Sequence, residues 1–136
     1  MPIRDDAARN ASLDNDYGTS TGPHAAASHL LALFVGDPFI DGYETSGGGY
    51  TRVAVAPADW LPADGGMKTT AAPIAFPATT AAWDQPVTHW ALYDNTGAVM
   101  WDTGPLTEPL DVTGSGPGPT VTPTVFYDDS ATIAQE

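Results

Sequence analysis

The chain has 136 residues, with seventeen Asp and Glu against four Lys and Arg, for a formal net charge of −13. Such a surface repels phosphate, which argues against nucleic-acid binding and favours docking onto a basic partner. No cysteine is present, so disulfides and thiol chemistry are excluded, and the longest apolar run, residues 30–35, is far short of the ~20 residues that span a membrane. The length suits one domain with its own core. Fourteen Gly and thirteen Pro mark a chain of strands and turns rather than a helical bundle. The N-terminus lacks the charged-then-apolar layout of a signal peptide, so synthesis in the cytosol without a cleavable export signal is expected.

In chain order, residues 3–16 form the one convincing helix. Asp5 or Asp6 can cap it, and Ala7, Ala8 and Ala11 propagate it. Its apolar stripe (Ala8, Ala11, Leu13) is thin, so it needs a docking surface. A loop at 17–23 and a lead-in at 24–28 follow. Residues 30–35 are uninterrupted apolar, as in a strand covered on both faces or a short core helix. Gly36, Asp37 and Pro38 stop that run. Gly47, Gly48 and Gly49 permit a sharp bend, and 50–55 reads as the next strand.

Residues 57–66 are a turn-rich connection, and 67–71 and 74–76 are short extended pieces divided by Pro73. The second clear strand is 87–93. Asp94 to Gly97 make a hairpin turn, and 98–103 return as its partner. Another turn is expected at 104–109, a possible short strand at 110–113, and a flexible proline-rich connection at 114–119. Residues 120–127 alternate, with Pro123 marking an edge strand. About six to eight short strands roughly 10 residues apart are the spacing of an all-β fold, a compact antiparallel β-sandwich or jelly-roll-like barrel with a short N-terminal helix. The boundaries that follow are a helix and arm at 1–28, a β-sandwich domain at 29–127 and a polar tail at 128–136. Trp60, Trp83, Trp90 and Trp101 are read mainly as core or rim fillers, with a sugar or partner platform as the alternative.

No catalytic set converges. His24, His29 and His89 are the only histidines, and none has a zinc-ligand spacing. Gly114-Ser115-Gly116 lies in a proline-rich loop, not on a strand-to-helix elbow. Asp14 and Asp16, or Asp37 and Asp41, lack the rest of a calcium loop and read as solvated turn carboxylates. Gly47 to Gly49 are not followed by a helix, so no dinucleotide signature is formed. The expectation is a protein that is not an enzyme, with no cofactor, no metal site and no membrane or nucleic-acid partner.

Five motifs occur in a telling order. Asp-Ala-Ala-Arg-Asn-Ala-Ser-Leu-Asp at 6–14 precedes Leu-Leu-Ala-Leu-Phe-Val-Gly-Asp-Pro at 30–38. Glu-Thr-Ser-Gly-Gly-Gly-Tyr-Thr-Arg-Val-Ala-Val at 44–55 comes next. Ile-Ala-Phe-Pro-Ala-Thr-Thr-Ala-Ala-Trp at 74–83 and Val-Thr-His-Trp-Ala-Leu-Tyr-Asp at 87–94 follow. In this order the chain resembles a family of small virion structural proteins of tailed bacteriophages, labelled head decoration, minor tail or tail fibre proteins. The resemblance covers about residues 5–127 and implies a structural role with no catalytic residues. Because the chain shows no shaft of heptads or repeated strands, and a compact acidic β-domain with a docking helix suits a part added in many copies to a shell, the expectation within the family is a capsid decoration, or cement, protein. It would be made in the host cytoplasm, form a homotrimer and bind the major capsid protein on the capsid surface. A tail fibre, minor tail or baseplate component, contacting host surface glycans, is the alternative. The decoration reading places partner contacts in the termini, at Ile3, Arg4, Arg9, Leu13, Tyr17 and Tyr127. It also expects residues 1–17 to be removable without unfolding the domain.

Overall fold

The apolar run becomes the middle of a sheet because both of its faces find cover. In the computed structural model, which describes residues 6–17 and 28–126, it forms β1 (His29–Val35). β2 (Tyr43–Glu44) and β3 (Val53–Val55) pair with one edge of β1, β6 (Val87–Tyr93) with the other, and β7 (Met100–Leu110) with β6. All four pairings are antiparallel. Leu31 stands opposite Leu92 and Leu33 opposite Trp90, while Ala32 stands opposite Ala91. Since side chains alternate along a strand, the first two pairs enter the main core and the third joins Phe34, Tyr93 and Met100 on the other face.

A second layer consists of two antiparallel ribbons: β4 (Met67–Thr69) with β9 (Thr124–Phe126), and β5 (Ile74–Ala75) with β8 (Thr120–Val121). Phe76, Val121 and Val125 from this layer meet Leu31, Leu33, Trp90 and Leu92 of the main sheet. Among the described residues the architecture is thus mostly antiparallel β-strands with one short α-helix, the all-β sandwich expected. Trp60, Trp83 and Trp90 are core side chains, and only Trp101 is substantially exposed, at 45%. The helix, α1 (Asp6–Tyr17), inserts Leu13 and Tyr17 into the same core. Packing therefore crosses the boundary drawn at residue 28.

Several local expectations need correction. The strand expected at 50–55 is limited to Val53–Val55, because Tyr50 is held in a turn by its N–H to the Gly47 carbonyl at 3.2 Å. Residues 104–109 are not a turn. They continue β7, which bulges between the pairs His89–Pro105 and Val87–Leu110; such bulges and prolines suit an edge strand. The strand at 110–113 is absent beyond Leu110, where β7 ends. The alternating stretch from 120 is divided at the buried Pro123, so its halves serve different ribbons. Nor is 114–119 a loose connection. Thr79 and Gly116 exchange backbone hydrogen bonds of 2.9 and 3.1 Å, and the Phe76 N–H donates to the Pro119 carbonyl at 2.9 Å.

The triple glycine serves close approach as much as bending. A Cβ at Gly48 would sit 2.4 Å from the Ala81 nitrogen, and one at Gly49 2.4 Å from the Ala78 carbonyl oxygen. The bend thereby lies directly on residues 78–83, where Trp83 donates its indole N–H to the Gly48 carbonyl at 3.2 Å.

Candidate functional site

Three polar clusters fix the scaffold. Glu44 on β2 accepts two hydrogen bonds from Arg52, at 2.9 and 2.8 Å, and one from the Tyr50 hydroxyl at 2.6 Å. Arg52 also donates to the Gly97 carbonyl at 2.9 Å and lies 3.9 Å from the centre of the Tyr93 ring, tying the 94–97 hairpin to β2. Burial works to raise the Glu44 carboxyl, but the hydrogen bonds from Arg52 and Tyr50 and the Arg52 charge hold it below its ordinary 4.5. A carboxylate depressed in the folded state contributes stability above its unfolded value and loses it as pH falls through the folded one. Glu44→Gln is therefore expected to lower the urea midpoint at neutral pH, and the gap to the parent chain is expected to close in acid below about pH 4.5. Urea titrations at neutral and acid pH measure that gap.

Lys68 on β4 is only 1% exposed. Its ammonium meets Asp14 of α1 at 2.6 Å and the Leu61 carbonyl at 2.7 Å. Asp14 also accepts from the Ala63 N–H, and Asn10, one turn earlier, accepts from the Gly66 N–H, both at 2.8 Å. One face of α1 therefore satisfies the backbone of the 61–66 loop. The third cluster joins Tyr17 to Asp102 on β7, the tyrosine hydroxyl donating to the carboxylate. Burial raises the Tyr17 phenol, and the Asp102 charge raises it further. Burial also raises Asp102, helped by the nearby Asp16 charge and opposed by the Tyr17 hydrogen bond. The His29 ring lies 4.7 Å from the Tyr17 ring and 4.8 Å from that of Trp101.

These clusters decide what the expected partner contacts do. Leu13 and Tyr17 are core side chains and so are not displayed for a neighbour. Arg9 lies beside Gly66. Ile3, Arg4 and Tyr127 lie outside the described residues, as does His24. His29 points to the core face of β1 with Tyr17, whereas His89 stands opposite Phe34 on the other face of the sheet. Among the described residues no group of three or more His, Asp or Glu is arranged to hold a metal.

What the scaffold offers outward is surface. Two adjoining clefts of about 260 and 330 Å³ open between β7 and the β8–β9 stretch, and both are lined by Trp90, Pro105, Thr107 and Thr122. Their linings are rich in threonine and contain one carboxylate, Glu108, and no cation. A more apolar hollow of about 460 Å³ lies over the outer face of the β4–β9 ribbon, lined by Leu61, Pro62 and Met67. The register sets this up: Lys68 and Val125 turn inward, leaving Met67 and Phe126 outside.

The third surface is the turn between β1 and β2. Phe39 and Ile40 at its tip are 72% and 77% exposed. Sequence reasoning took this segment only as a strand stop. The available signal was two large apolar residues inside an Asp-Pro…Asp-Gly context, where turn residues are normally polar.

A family model described as podophage GP4 fiber I protein gp80 matches residues 6–118. No curated protein and no solved structure matches the chain.

Proposed function

We propose, for a chain that belongs to the family of the podophage GP4 fiber I protein gp80, that it works as a fibre component of the phage tail and acts by binding rather than by catalysis. Membership makes the protein a phage virion structural protein, which is the level at which the motif resemblance holds. The single observation behind the finer reading is the family match across residues 6–118, since the family is described by a fibre protein. It carries the tail fibre above the capsid decoration role expected from sequence. The decoration role rested on the missing shaft and on a compact acidic β-domain with a docking helix, and the description of the family supports the fibre role over it.

The scaffold supports a binding role. Its polar clusters are turned inward to lock α1, the hairpin and β2 in place. Exposed apolar side chains stand on the turn at Phe39 and Ile40 and on the β4–β9 ribbon at Met67 and Phe126, where rigid presentation favours docking. Gold-labelled antibody against this chain, applied to intact virions, is expected to decorate the tail fibres in electron micrographs. Label confined to the head would overturn the fibre reading and restore the decoration role.

A further inference from the structure

From the turn between β1 and β2 we infer a docking prong: Phe39 and Ile40 insert into an apolar socket, rimmed by lysine or arginine, on another protein of the phage particle. The inference rests on the virion reading and adds the surface and the chemistry of its partner.

The turn is built to hold these side chains out. Asp37 accepts three hydrogen bonds within it. Its backbone carbonyl receives the N–H groups of Ile40 at 3.0 Å and Gly42 at 2.8 Å, and its carboxylate receives that of Phe39 at 2.9 Å. The Gly36 N–H donates to the Thr88 hydroxyl at 2.8 Å, which fastens the base of the turn to β6. Gly36 adopts a φ of 85°, and a Cβ at Gly42 would lie 2.4 Å from the Gly36 oxygen. The loop thus closes so tightly that both ends require glycine. Phe39 and Ile40 project from a prearranged frame, and little ordering entropy remains to oppose their burial. Tyr43, also exposed, stands at the foot of the turn.

Charge selects the occupant. Asp37 and Asp41 flank the two apolar residues, in a chain of net charge −13. A second copy would bring carboxylates against carboxylates. With four Lys and Arg against seventeen Asp and Glu, such a contact is short of cations, and two of the four, Arg52 on Glu44 and Lys68 on Asp14, are already engaged within the fold. An anionic lipid surface repels the same carboxylates. A basic-rimmed socket on a different protein satisfies both the apolar tip and its acidic flanks.

The test uses phage particles produced from a genome with an amber stop in this gene, to which purified full-length chain is added. Bound chain is measured after sedimentation in low and high salt. The parent chain is expected to bind, more weakly as salt rises. The double variant Phe39→Ser/Ile40→Ser is expected to lose about tenfold or more in affinity, with circular dichroism and melting temperature unchanged. Val99→Ser, which removes an exposed apolar side chain elsewhere, is expected to bind as the parent does. Equal binding by parent and double variant overturns the prong alone, and parent binding insensitive to salt overturns the basic rim. Failure of the parent chain to bind at all overturns the prong together with the virion-fibre reading. A parent dimer in ultracentrifugation that the double variant loses would assign the prong to a second copy. Cosedimentation of the parent with phosphatidylethanolamine–phosphatidylglycerol vesicles, lost in the variant, would assign it to lipid. Either result overturns the inference.

Discussion

Lys68→Ala is expected to destabilise the domain by about 3–5 kcal/mol, the cost of breaking a buried ion pair by removing one partner. The lysine is fully enclosed, and its ammonium is shared between the Asp14 carboxylate and the Leu61 carbonyl. Alanine would remove the charge, leave a hole where the four-carbon stem packed, and strip the Leu61 carbonyl of that donor. Asp14 would fare less badly, because it is 27% exposed and also receives the Ala63 N–H. Lys68→Met separates these effects: it refills the stem volume without the charge and is expected to cost less than alanine. Chemical denaturation of the three chains measures the order. An alanine variant within about 1 kcal/mol of the parent would show that the pair stabilises no more than an exposed one.

Deleting residues 1–17 is expected to abolish the cooperative thermal transition. The decoration reading expects an arm that reaches neighbouring subunits and can be removed without unfolding the domain. In the fold, the deletion takes Leu13 and Tyr17 out of the core and removes the carboxylate paired with Lys68. Losing a buried leucine costs about 2–5 kcal/mol and a large aromatic about 3–5. With the loss of the Asp14 carboxylate from Lys68 added, the total is comparable to the ~5–15 kcal/mol stability of a domain. A chain starting at residue 18 that still melts cooperatively within a few degrees of the parent would refute this and return the helix to the status of an arm.

The strands that carry the core were legible because their patterns are strong. The unbroken apolar run became β1, and Val87–Tyr93 appeared as expected. The Asp94–Gly97 turn was readable from Asp and Gly, and the Asp94 carboxylate indeed accepts from Thr96 and Ala98 across it. Tertiary partners decided the rest. Pro105 and Pro109 suggested a turn, yet an edge strand needs no outward N–H there, so β7 runs on through both. The 114–119 segment has few side chains to pack, but its backbone finds partners at 76–79 that no local pattern announces. Lysine is almost never fully buried unless paired, so nothing local marks Lys68 as enclosed. Its burial depends on Asp14, 54 positions away. Of the surfaces, the prong left a trace in the sequence as misplaced apolar residues, whereas the hollow at Leu61 and Met67 exists only once β4 and β9 pair.

That pairing sets an order of events during synthesis. β4 and β5 emerge early but find their partners only in β9 and β8, the last strands of the described fold. Until residue 121 has cleared the ribosome Ile74 remains on an unclosed edge, and until residue 126 has cleared it so does Met67. Lys68, the anchor of the helix, sits on the second of these edges. The sandwich therefore closes after translation of these strands rather than during it. Its ribbons join distant stretches of chain, which places folding in the slower, millisecond-to-second range of domains built on non-local pairs. In that interval the nascent protein exposes strand edges that other chains could capture. The strong like charge along the chain holds nascent copies apart while the last strand arrives.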